Sequence, residues 1–476
     1  MTFNSVTYFV FLGIVLAAYY LLKLRLQNIL LLAASYVFYG WWDYRFLSLL
    51  AISTVVDYSM GRVLEGQARL GVRRTALWVS LVTNLGILGF FKYFNFFADS
   101  FTELSHSVGF EVNPVVLQII LPVGISFYTF QTMAYTIDVY RGKMAPVRNF
   151  IDFALYVSFF PQLVAGPIER AQTLIPQIQT QRKLTPDKLN GGGYLILVGL
   201  FKKVVIADNC APFVERCFDN PELYPAAGLM LGVWLFAVQI YCDFSGYTDI
   251  ARGTAKLLGF DLMVNFRQPY FATNITDFWR RWHISLSSWL RDYLYIPLGG
   301  NRGSKLFTYR NLMLTMLLGG LWHGAAWTFV VWGGLHGLYL MVHKIAMGDR
   351  KPALQTNWNL RALCFAFLTF QLVCLTWVFF RAPDFSTAMQ YVLGTLDWRG
   401  DQLRLGQMRL VAEPLAMFVA VTAAIFLLDV PAYRRDDQLA ILRWPWPVKT
   451  ALYTGLVLLL MLYGGGSDVA FIYFQF

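Results

Sequence analysis

Charged residues are scarce in this sequence. Of its 476 residues only 14% are Asp, Glu, Lys or Arg, while 57% are hydrophobic and 17% aromatic, and the mean hydropathy is +0.49. A soluble globular domain carries about 25% charged residues. So few charges cannot cover a water-soluble protein of this size, which excludes a cytosolic enzyme, a nucleic-acid-binding protein and a disordered chain. The recurring apolar runs predict an all-α polytopic membrane protein instead.

Cysteine is rare as well, and the common catalytic motifs are missing. None of the five cysteines lies in a CxxC pair or at metal-ligand spacing, so no metal site is expected. We predict that Cys242, Cys364 and Cys374 are core residues, and Cys210 with Cys217 is the pair that can form a disulfide. The absence of Walker, GxGxxG, HExxH and GxSxG motifs argues against ATP-driven transport, dinucleotide chemistry, zinc hydrolysis and an elbow-serine esterase.

The basic residues predict the topology. Residues 8–22 form an apolar run with no Lys or Arg before it and Lys23 and Arg25 directly after it. Because Lys and Arg collect in cytoplasmic loops, this run predicts a retained first span with the N-terminus outside. Continued along the chain, the pattern predicts a single domain, residues 1–476, with roughly eleven to thirteen membrane segments. The short run 151–164 ends in Pro161 and is predicted to be re-entrant.

His323 lies in the middle of a 32-residue apolar run, 311–342. Both flanks carry basic residues, Arg310 and Lys344, and are predicted to be cytoplasmic. The run must then enter and return in two arms shorter than the roughly 20 residues needed to cross a membrane. Its turn falls near His323, deep in the membrane, where an ionisable side chain indicates function. The alternative is a neutral histidine bonded to a backbone carbonyl.

A second candidate region is a helix predicted over residues 277–293, which Thr276 caps and in which Asp277 and Arg281 pair at i,i+4. Trp282, Leu286, Trp289 and Tyr293 form one apolar stripe on it. One interpretation is an amphipathic helix at the lipid boundary. The other is a pocket wall in which His283 is the polar contact. The candidate substrate contacts of this helix are Trp279, Arg280, Arg281, Ser287 and Arg291.

Further candidates lie on both sides of this helix. Asp243 and Tyr247 belong to a polar stretch, 241–249, in which Asp243 is a possible helix cap, Asp249 a partner of Arg252, and a proton relay a weaker alternative. Trp322 precedes His323. A basic cluster is predicted to hold an anionic cytosolic donor, although positive-inside bias produces the same pattern. It consists of Arg280, Arg281, Arg291, Arg302, Lys305 and Arg310.

Several stretches together resemble the membrane-bound O-acyltransferase family, and within it the bacterial proteins of alginate O-acetylation. They are 122–131 (PVGISFYTFQ), 137–142 (IDVYRG), 159–168 (FFPQLVAGPI), 243–247 (DFSGY), 278–295, 320–324 (GLWHG) and the final 471–476 (FIYFQF). The resemblance implies a multi-helix bundle with a central tunnel. It places the family's catalytic histidine on His323 and its second functional polar position on His283.

The implied function is transfer of an acetyl group from a cytosolic thioester, acetyl-CoA or another, through the inner membrane for O-acetylation of an alginate-like exopolysaccharide. No tightly bound cofactor is expected. The implied partners are membrane lipid, extracytoplasmic acetyltransferase proteins and, indirectly, the polysaccharide, with no nucleic acid. The alternatives are D-alanyl or other acyl transfer to a cell-envelope polymer, a proton-coupled transporter using His283 and His323, and a non-catalytic scaffold.

Overall fold

The computed structural model describes residues 1–66, 69–112, 117, 119–164, 166–348, 359–398, 405–464 and 471–472, the side chains of 405–409 excepted. Helices dominate these ranges, and no β-strand occurs within them. The all-α prediction is therefore confirmed. Residue 165 and residues 473–476 of the resembling stretches lie outside the described part.

The chain divides into two compact units: Met1–Gly192 with Thr254–Met263, and Gly193–Gly253 with Val264–Phe476. Two of the boundaries fall within helices, α10 (Pro186–Leu200) and α12 (Ala226–Leu257), and the third lies in the loop after residue 263. We describe each unit by itself, and the single domain of 1–476 stays a prediction.

The first unit is built from short and medium helices. They are α1 (Val6–Tyr19), α2 (Leu24–Gly40), α3 (Leu47–Val63), α4 (Leu70–Leu88), α5 (Phe94–Ser107), α6 (Ile125–Tyr140), α7 (Phe150–Ser158), α8 (Phe160–Leu163), α9 (Ala171–Gln179) and the start of α10 (Pro186–Leu200). Its interior includes a buried carboxylate, Asp57, which accepts hydrogen bonds from the hydroxyls of Ser80 and Thr136 and from the amide of Asn84. These bonds tie α3 to α4 and α6 and satisfy a polar group that is costly to bury alone.

The second unit contains the longer helices and the candidate site. They are the end of α10, α11 (Asp208–Asp219), α12 (Ala226–Leu257), α13 (Ile275–Arg281), α14 (Ile284–Leu290), α15 (Lys305–His323), α16 (Trp327–Met347), α17 (Leu360–Arg381), α18 (Phe385–Leu396), α19 (Leu405–Arg435) and α20 (Trp446–Tyr463). A π-helical segment, Phe201–Ala207, joins α10 to α11. The acidic stretch after residue 208 is largely helical, since α11 covers Asp208–Asp219.

Polar side chains start many of these helices. Each accepts a hydrogen bond from a backbone N–H of the first turn, which has no partner inside the helix. The capping residues are Ser5, Asn149, Asn274, Ser304, Asn359 and Asp384. The predicted cap Thr276 is wrong, because Asn274 caps α13 and the hydroxyl of Thr276 lies 2.9 Å from Nδ1 of His343.

Seven helical segments of the described chain are long and apolar enough to cross a membrane. They are Tyr44–Val63, Leu70–Ser107, Pro186–Asp219, Ala226–Leu257, Leu360–Arg381, Leu410–Arg435 and Trp446–Tyr463. The chain is thus a multi-pass membrane protein. The first predicted span is the shorter helix α1, and the run 151–164 forms two short helices, α7 and α8. The count of eleven to thirteen segments and the re-entrant course stay predictions.

The cysteines follow the sequence predictions in part. All five are free thiols, so Cys210 and Cys217 do not form a disulfide. Cys242 and Cys374 are buried as predicted, but Cys364 is exposed on α17. An apolar neighbourhood in the sequence of a membrane helix does not distinguish its protein-facing side from its outer side.

Candidate active site

A helical hairpin holds His323 in the second unit. Helix α15 ends at His323, residues 324–326 form the turn, and α16 begins at Trp327. The turn therefore falls where the basic flanks of the apolar run predict it. His323 is 3% exposed, although it is the last residue of its helix.

The glycines of the hairpin bring its two helices together. A Cβ at Gly320 would collide with the carbonyl oxygen of Phe329, and a Cβ at Gly333 would collide with the carbonyl oxygen of Met316. A Cβ at Gly324 would collide with the ring of Phe329. The small residues around His323 thus make room for the neighbouring helix, because only glycine permits backbones to approach so closely.

Aromatic rings surround His323. The ring centroids of Trp322 and Trp332 lie 5.0 Å from its imidazole, and that of Phe380 on α17 lies 5.5 Å away. All three rings meet the imidazole edge to face, a favoured geometry for aromatic pairs. A side chain held in such an apolar shell is kept from bulk water, which strengthens any electrostatic interaction made there.

His283 is completely buried beside this shell. Its imidazole centroid lies 6.3 Å from that of His323 and 6.0 Å from the ring of Trp322. The ring of Phe244 from α12 packs against it at 4.7 Å. The structure thus brings together the two histidines that the sequence singles out, 40 positions apart in the chain.

The predicted continuous helix over 277–293 is wrong. The chain breaks between α13 and α14, and His283 stands at the break with φ +42°, in the left-handed region. A non-glycine residue adopts this conformation only when its surroundings impose it. The break divides the predicted apolar stripe between two helices. Trp279, Trp282 and Trp289 are all buried, which argues against an amphipathic helix at the lipid boundary.

Asn265 holds the break in place. Its backbone carbonyl accepts the N–H of Ile284 at 2.9 Å. Its side-chain oxygen accepts the backbone N–H of Ser285 at 3.1 Å and the hydroxyl of Ser285 at 2.9 Å, and lies 3.3 Å from Nδ1 of His283. Sequence reasoning missed Asn265 because it is 18 residues from His283 and belongs to no recognisable motif.

Burial lowers the pKa of His283 to about 3, since the charged imidazolium is penalised in an apolar environment. His283 lies outside the seven candidate spans. It is therefore neutral at ordinary pH, and the imidazole carries one proton.

His336 joins neighbouring helices through hydrogen bonds. The indole N–H of Trp279 donates to its Nδ1 at 3.3 Å, and its Nε2 lies 3.0 Å from the hydroxyl oxygen of Thr376. Its ring also contacts Trp332 at 4.7 Å, so α13, α16 and α17 are joined beside the site. Trp279, a predicted substrate contact, is thus part of the wall that supports Trp332.

The other predicted contacts of this region are tied to the protein. Arg281 is buried and pairs with Asp277 at 3.0 Å, which confirms the i,i+4 pair. Ser287 donates to the carbonyl oxygen of Trp282 at 3.0 Å, and Arg291 is exposed and pairs with Asp292 at 2.7 Å. Of the basic cluster, the exposed members besides Arg291 are Arg280, Arg302, Lys305 and Arg310.

Asp243 and Tyr247 lie on α12 away from the histidines' immediate shell. Asp243 is inside the helix and therefore does not cap it. Its carboxylate pairs with Lys203 at 2.8 Å and accepts the N–H of Ile472 at 2.7 Å, and Tyr247 stacks on Phe471 at 4.2 Å. These contacts fasten the chain near its end to α12, and a direct role in substrate binding stays a prediction.

A second buried charge network is formed around Asp249, which follows Asp243 on α12. Asp249 pairs with Lys202 at 2.9 Å and, as predicted, with Arg252 at 3.3 Å. The hydroxyl of Tyr241 donates to Asp429 at 2.8 Å. A cavity of about 30 Å³, which is room for about one water molecule, is lined by Lys202, Tyr241, Asp249 and Asp429 among others.

A larger apolar cleft of about 240 Å³ adjoins this network. Its lining comes from α12, α17, α19 and the segment 268–271, and includes Tyr241, Tyr270 and Asp429. Neither this cleft nor the polar cavity is lined by His283 or His323. The predicted tunnel therefore stays a prediction.

Comparison with known proteins gives the class of this one. Residues 38–382 match the membrane-bound O-acyltransferase family. The chain is 44% identical to the probable alginate O-acetylase AlgI of Azotobacter vinelandii (92% of this chain, 89% of the relative) and 48% identical to that of Pseudomonas aeruginosa (82% and 73%). It is 38% identical to the peptidoglycan O-acetyltransferase of Helicobacter pylori (85% and 81%).

The chain therefore belongs to the membrane-bound O-acyltransferase family. It is an O-acetyltransferase with several membrane-crossing helices.

Proposed function

We propose that this enzyme moves an acetyl group from a cytosolic thioester through the membrane for O-acetylation of an exopolysaccharide of the alginate type. The observation that carries the proposal is the buried pair His283–His323 in the second unit, inside an aromatic shell. The names of the AlgI relatives support the polymer class.

His323 is the general base of this proposal. The acceptor hydroxyl attacks the carbonyl carbon of the acetyl thioester while His323 takes the hydroxyl proton. The tetrahedral intermediate then collapses, the carbon–sulfur bond breaks, and the protonated His323 returns its proton to the leaving thiolate. The products are an acetyl ester and a free thiol, so no ATP is consumed. A positioned base contributes typically 10²–10⁴-fold to such a reaction.

The aromatic shell and His283 support this chemistry in different ways. Exclusion of water by Trp322, Trp332 and Phe380 protects the thioester from hydrolysis. His283 is a neutral polar group beside the base, suited to hydrogen bond with substrate. A histidine reached from both sides of the membrane through a tunnel would allow a cytosolic donor and an outer acceptor to share one site.

The donor is acetyl-CoA or another acetyl thioester, used as a substrate rather than held as a cofactor. Arg280, Arg302, Lys305 and Arg310 are exposed cations on one stretch of the second unit. Guanidinium and ammonium groups bind phosphate well, and coenzyme A carries several phosphates. The enzyme lies in the inner membrane, with lipid around its spans and the N-terminus outside.

The acetyl group passes first to a serine hydroxyl of a separate extracytoplasmic acetyltransferase, which then modifies the polymer. A polysaccharide needs an extended groove, and the segments that the charge pattern predicts to lie outside, 98–113, 208–224 and 381–413, are short. The polymer is therefore an indirect partner.

Reconstitution tests the proposal. Purified enzyme in liposomes receives ¹⁴C-acetyl-CoA on one side and alginate, cellulose or peptidoglycan on the other, with and without extracytoplasmic partner proteins. We expect label on alginate only when a partner is present, and label on that partner beforehand. Alginate acetylated by the enzyme alone at the cellular rate would overturn the relay, and label on peptidoglycan alone would overturn the polymer class.

A further inference from the structure

Two hydrogen-bond donors and one ring nitrogen of His283 converge on a single oxygen. Asn265 is completely buried, and its Oδ1 lies 3.1 Å from the backbone nitrogen of Ser285, 2.9 Å from the hydroxyl of Ser285 and 3.3 Å from Nδ1 of His283. A backbone N–H can only donate. The atom that faces it must therefore be the amide oxygen of Asn265, because the amide nitrogen would present a second donor.

The same oxygen determines where the proton of His283 sits. Nδ1 of a neutral imidazole bears either a hydrogen or a lone pair, and a lone pair there would face the lone pairs of Asn265. A second oxygen near Nδ1, the hydroxyl of Ser285 at 3.5 Å, already donates its proton to Asn265 and also presents lone pairs. Nδ1 of His283 therefore carries the hydrogen, and Nε2 carries the lone pair.

We propose that Asn265 is a positioning residue of the acetyl transfer, which fixes His283 at the helix break in the tautomer with Nδ1 protonated and Nε2 as hydrogen-bond acceptor. Nε2 is then able to accept a hydrogen bond from a substrate hydroxyl or amide. This inference rests on the proposed function for its role in transfer, but the tautomer itself does not.

His336 provides an internal comparison, since its surroundings dictate the opposite tautomer. The indole N–H of Trp279 donates to its Nδ1, so the hydrogen is on Nε2. Nε2 then donates to the hydroxyl oxygen of Thr376, whose own proton goes to the carbonyl oxygen of Val373 at 2.7 Å. The two buried histidines of this region are thus expected to differ in tautomer.

Solid-state NMR of the full-length protein, ¹⁵N-labelled at histidine and embedded in lipid, tests the tautomers directly. His283→Gln and His336→Gln assign the two sets of signals. We expect a protonated Nδ1 and an unprotonated Nε2 for His283, and the reverse for His336. A protonated Nε2 on His283 would overturn the proposal, whatever the activity of the enzyme.

Two variants of Asn265 test its role in transfer. Asn265→Leu removes the acceptor oxygen, and we expect a loss of tenfold or more in kcat. Asn265→Asp keeps an acceptor oxygen but adds a negative charge, which raises the pKa of His283 by about one unit or more. The rings packed on His283 are those of Phe244, Phe266, Trp322 and His323. Of these, His323 is titratable, and its ring centroid lies 6.3 Å from that of His283.

The pH profile separates positioning from simple support of the backbone. A carboxylate at this distance raises the pKa of His283 by about 1–3 units, from about 3 to about 4–6. Below the raised pKa, His283 of the Asn265→Asp variant is charged, and its Nε2 no longer accepts a hydrogen bond. We therefore expect the kcat of Asn265→Asp, relative to wild type, to rise with pH between about 4 and 7. A constant ratio across this range would contradict the proposal, even if Asn265→Leu fails to fold. If the wild-type enzyme transfers no acetyl group, the proposed function fails while the NMR result still stands.

Discussion

The imidazole rings of His283 and His323 lie 6.3 Å apart, centroid to centroid, with an angle of 65° between their planes. One stands at a left-handed break between two short helices, and the other at the end of a long helix. Trp322 contacts both rings, at 6.0 Å and 5.0 Å. A substrate atom that reaches one histidine is therefore close to the other.

Replacing His323 by alanine is expected to abolish polymer O-acetylation, a loss of about 10²-fold or more, because the acceptor hydroxyl loses its base. The protein should still insert and accumulate. Acetylation is measured by ¹⁴C-acetyl incorporation, and protein level by immunoblot of membranes. His106→Ala is the matched control, since it makes the same change at an exposed position of the first unit. Near-wild-type acetylation by His323→Ala would remove His323 from the mechanism.

Replacing His283 by alanine is expected to lower acetylation at least tenfold, because the polar group beside the base is lost. The comparison is Trp279→Phe, which removes the N–H that donates to His336 but keeps most of the ring. We expect Trp279→Phe to lower thermal stability more than kcat. An unchanged rate for His283→Ala would show that the helix break serves packing alone.

Changing Arg280, Arg302, Lys305 and Arg310 together to glutamine is expected to raise the apparent KM for acetyl-CoA several-fold, with less effect on kcat. Arg281 and Arg291 are left intact because they pair with Asp277 and Asp292. The dependence of KM on salt should weaken as well, since fewer charge contacts remain to be screened.

The control for this variant neutralises four other exposed cations, Lys23, Arg25, Arg69 and Arg74. Both sets are predicted to be cytoplasmic, so both affect topology in the same way. KM is measured in detergent-solubilised enzyme. Equal KM values in the two variants would show that the cluster affects membrane topology and does not bind the donor.

Gly333→Ala is expected to lower the stability of the α15–α16 hairpin by about 1–3 kcal/mol, because the added methyl collides with the carbonyl oxygen of Met316. At the next residue, Gly334→Ala, the methyl lies 3.5 Å from a side-chain carbon of Leu317, an ordinary contact. Since alanine also favours helix, Gly334→Ala should be neutral or stabilising. Thermal unfolding in detergent measures both, and equal Tm values would contradict the close packing.

Much of the architecture was readable from local patterns. Low charge and long apolar runs predict a helical membrane protein because both are properties of the composition itself. The turn near His323 follows from the length of an apolar run between two basic flanks. The pair Asp277–Arg281 follows from helical spacing.

The failures share a physical cause. The sequence predicts a continuous helix over 277–293 because each residue in it tolerates helix, yet His283 adopts a positive φ. Local propensity does not reveal such a conformation, since contacts from elsewhere impose it. The prediction that Cys364 is a core residue is wrong for a related reason, because apolar side chains of a membrane helix face both lipid and protein.

The sequence by itself determined the class of this protein and its two candidate histidines, through composition and motifs that need no knowledge of distant contacts. Only the tertiary structure decided that His283 and His323 share one aromatic shell, and that Asn265 sets the proton of His283. Those relationships depend on where separate helices meet. Side chains 18 and 40 positions apart become neighbours only through packing, and such contacts produce no periodic pattern in the sequence.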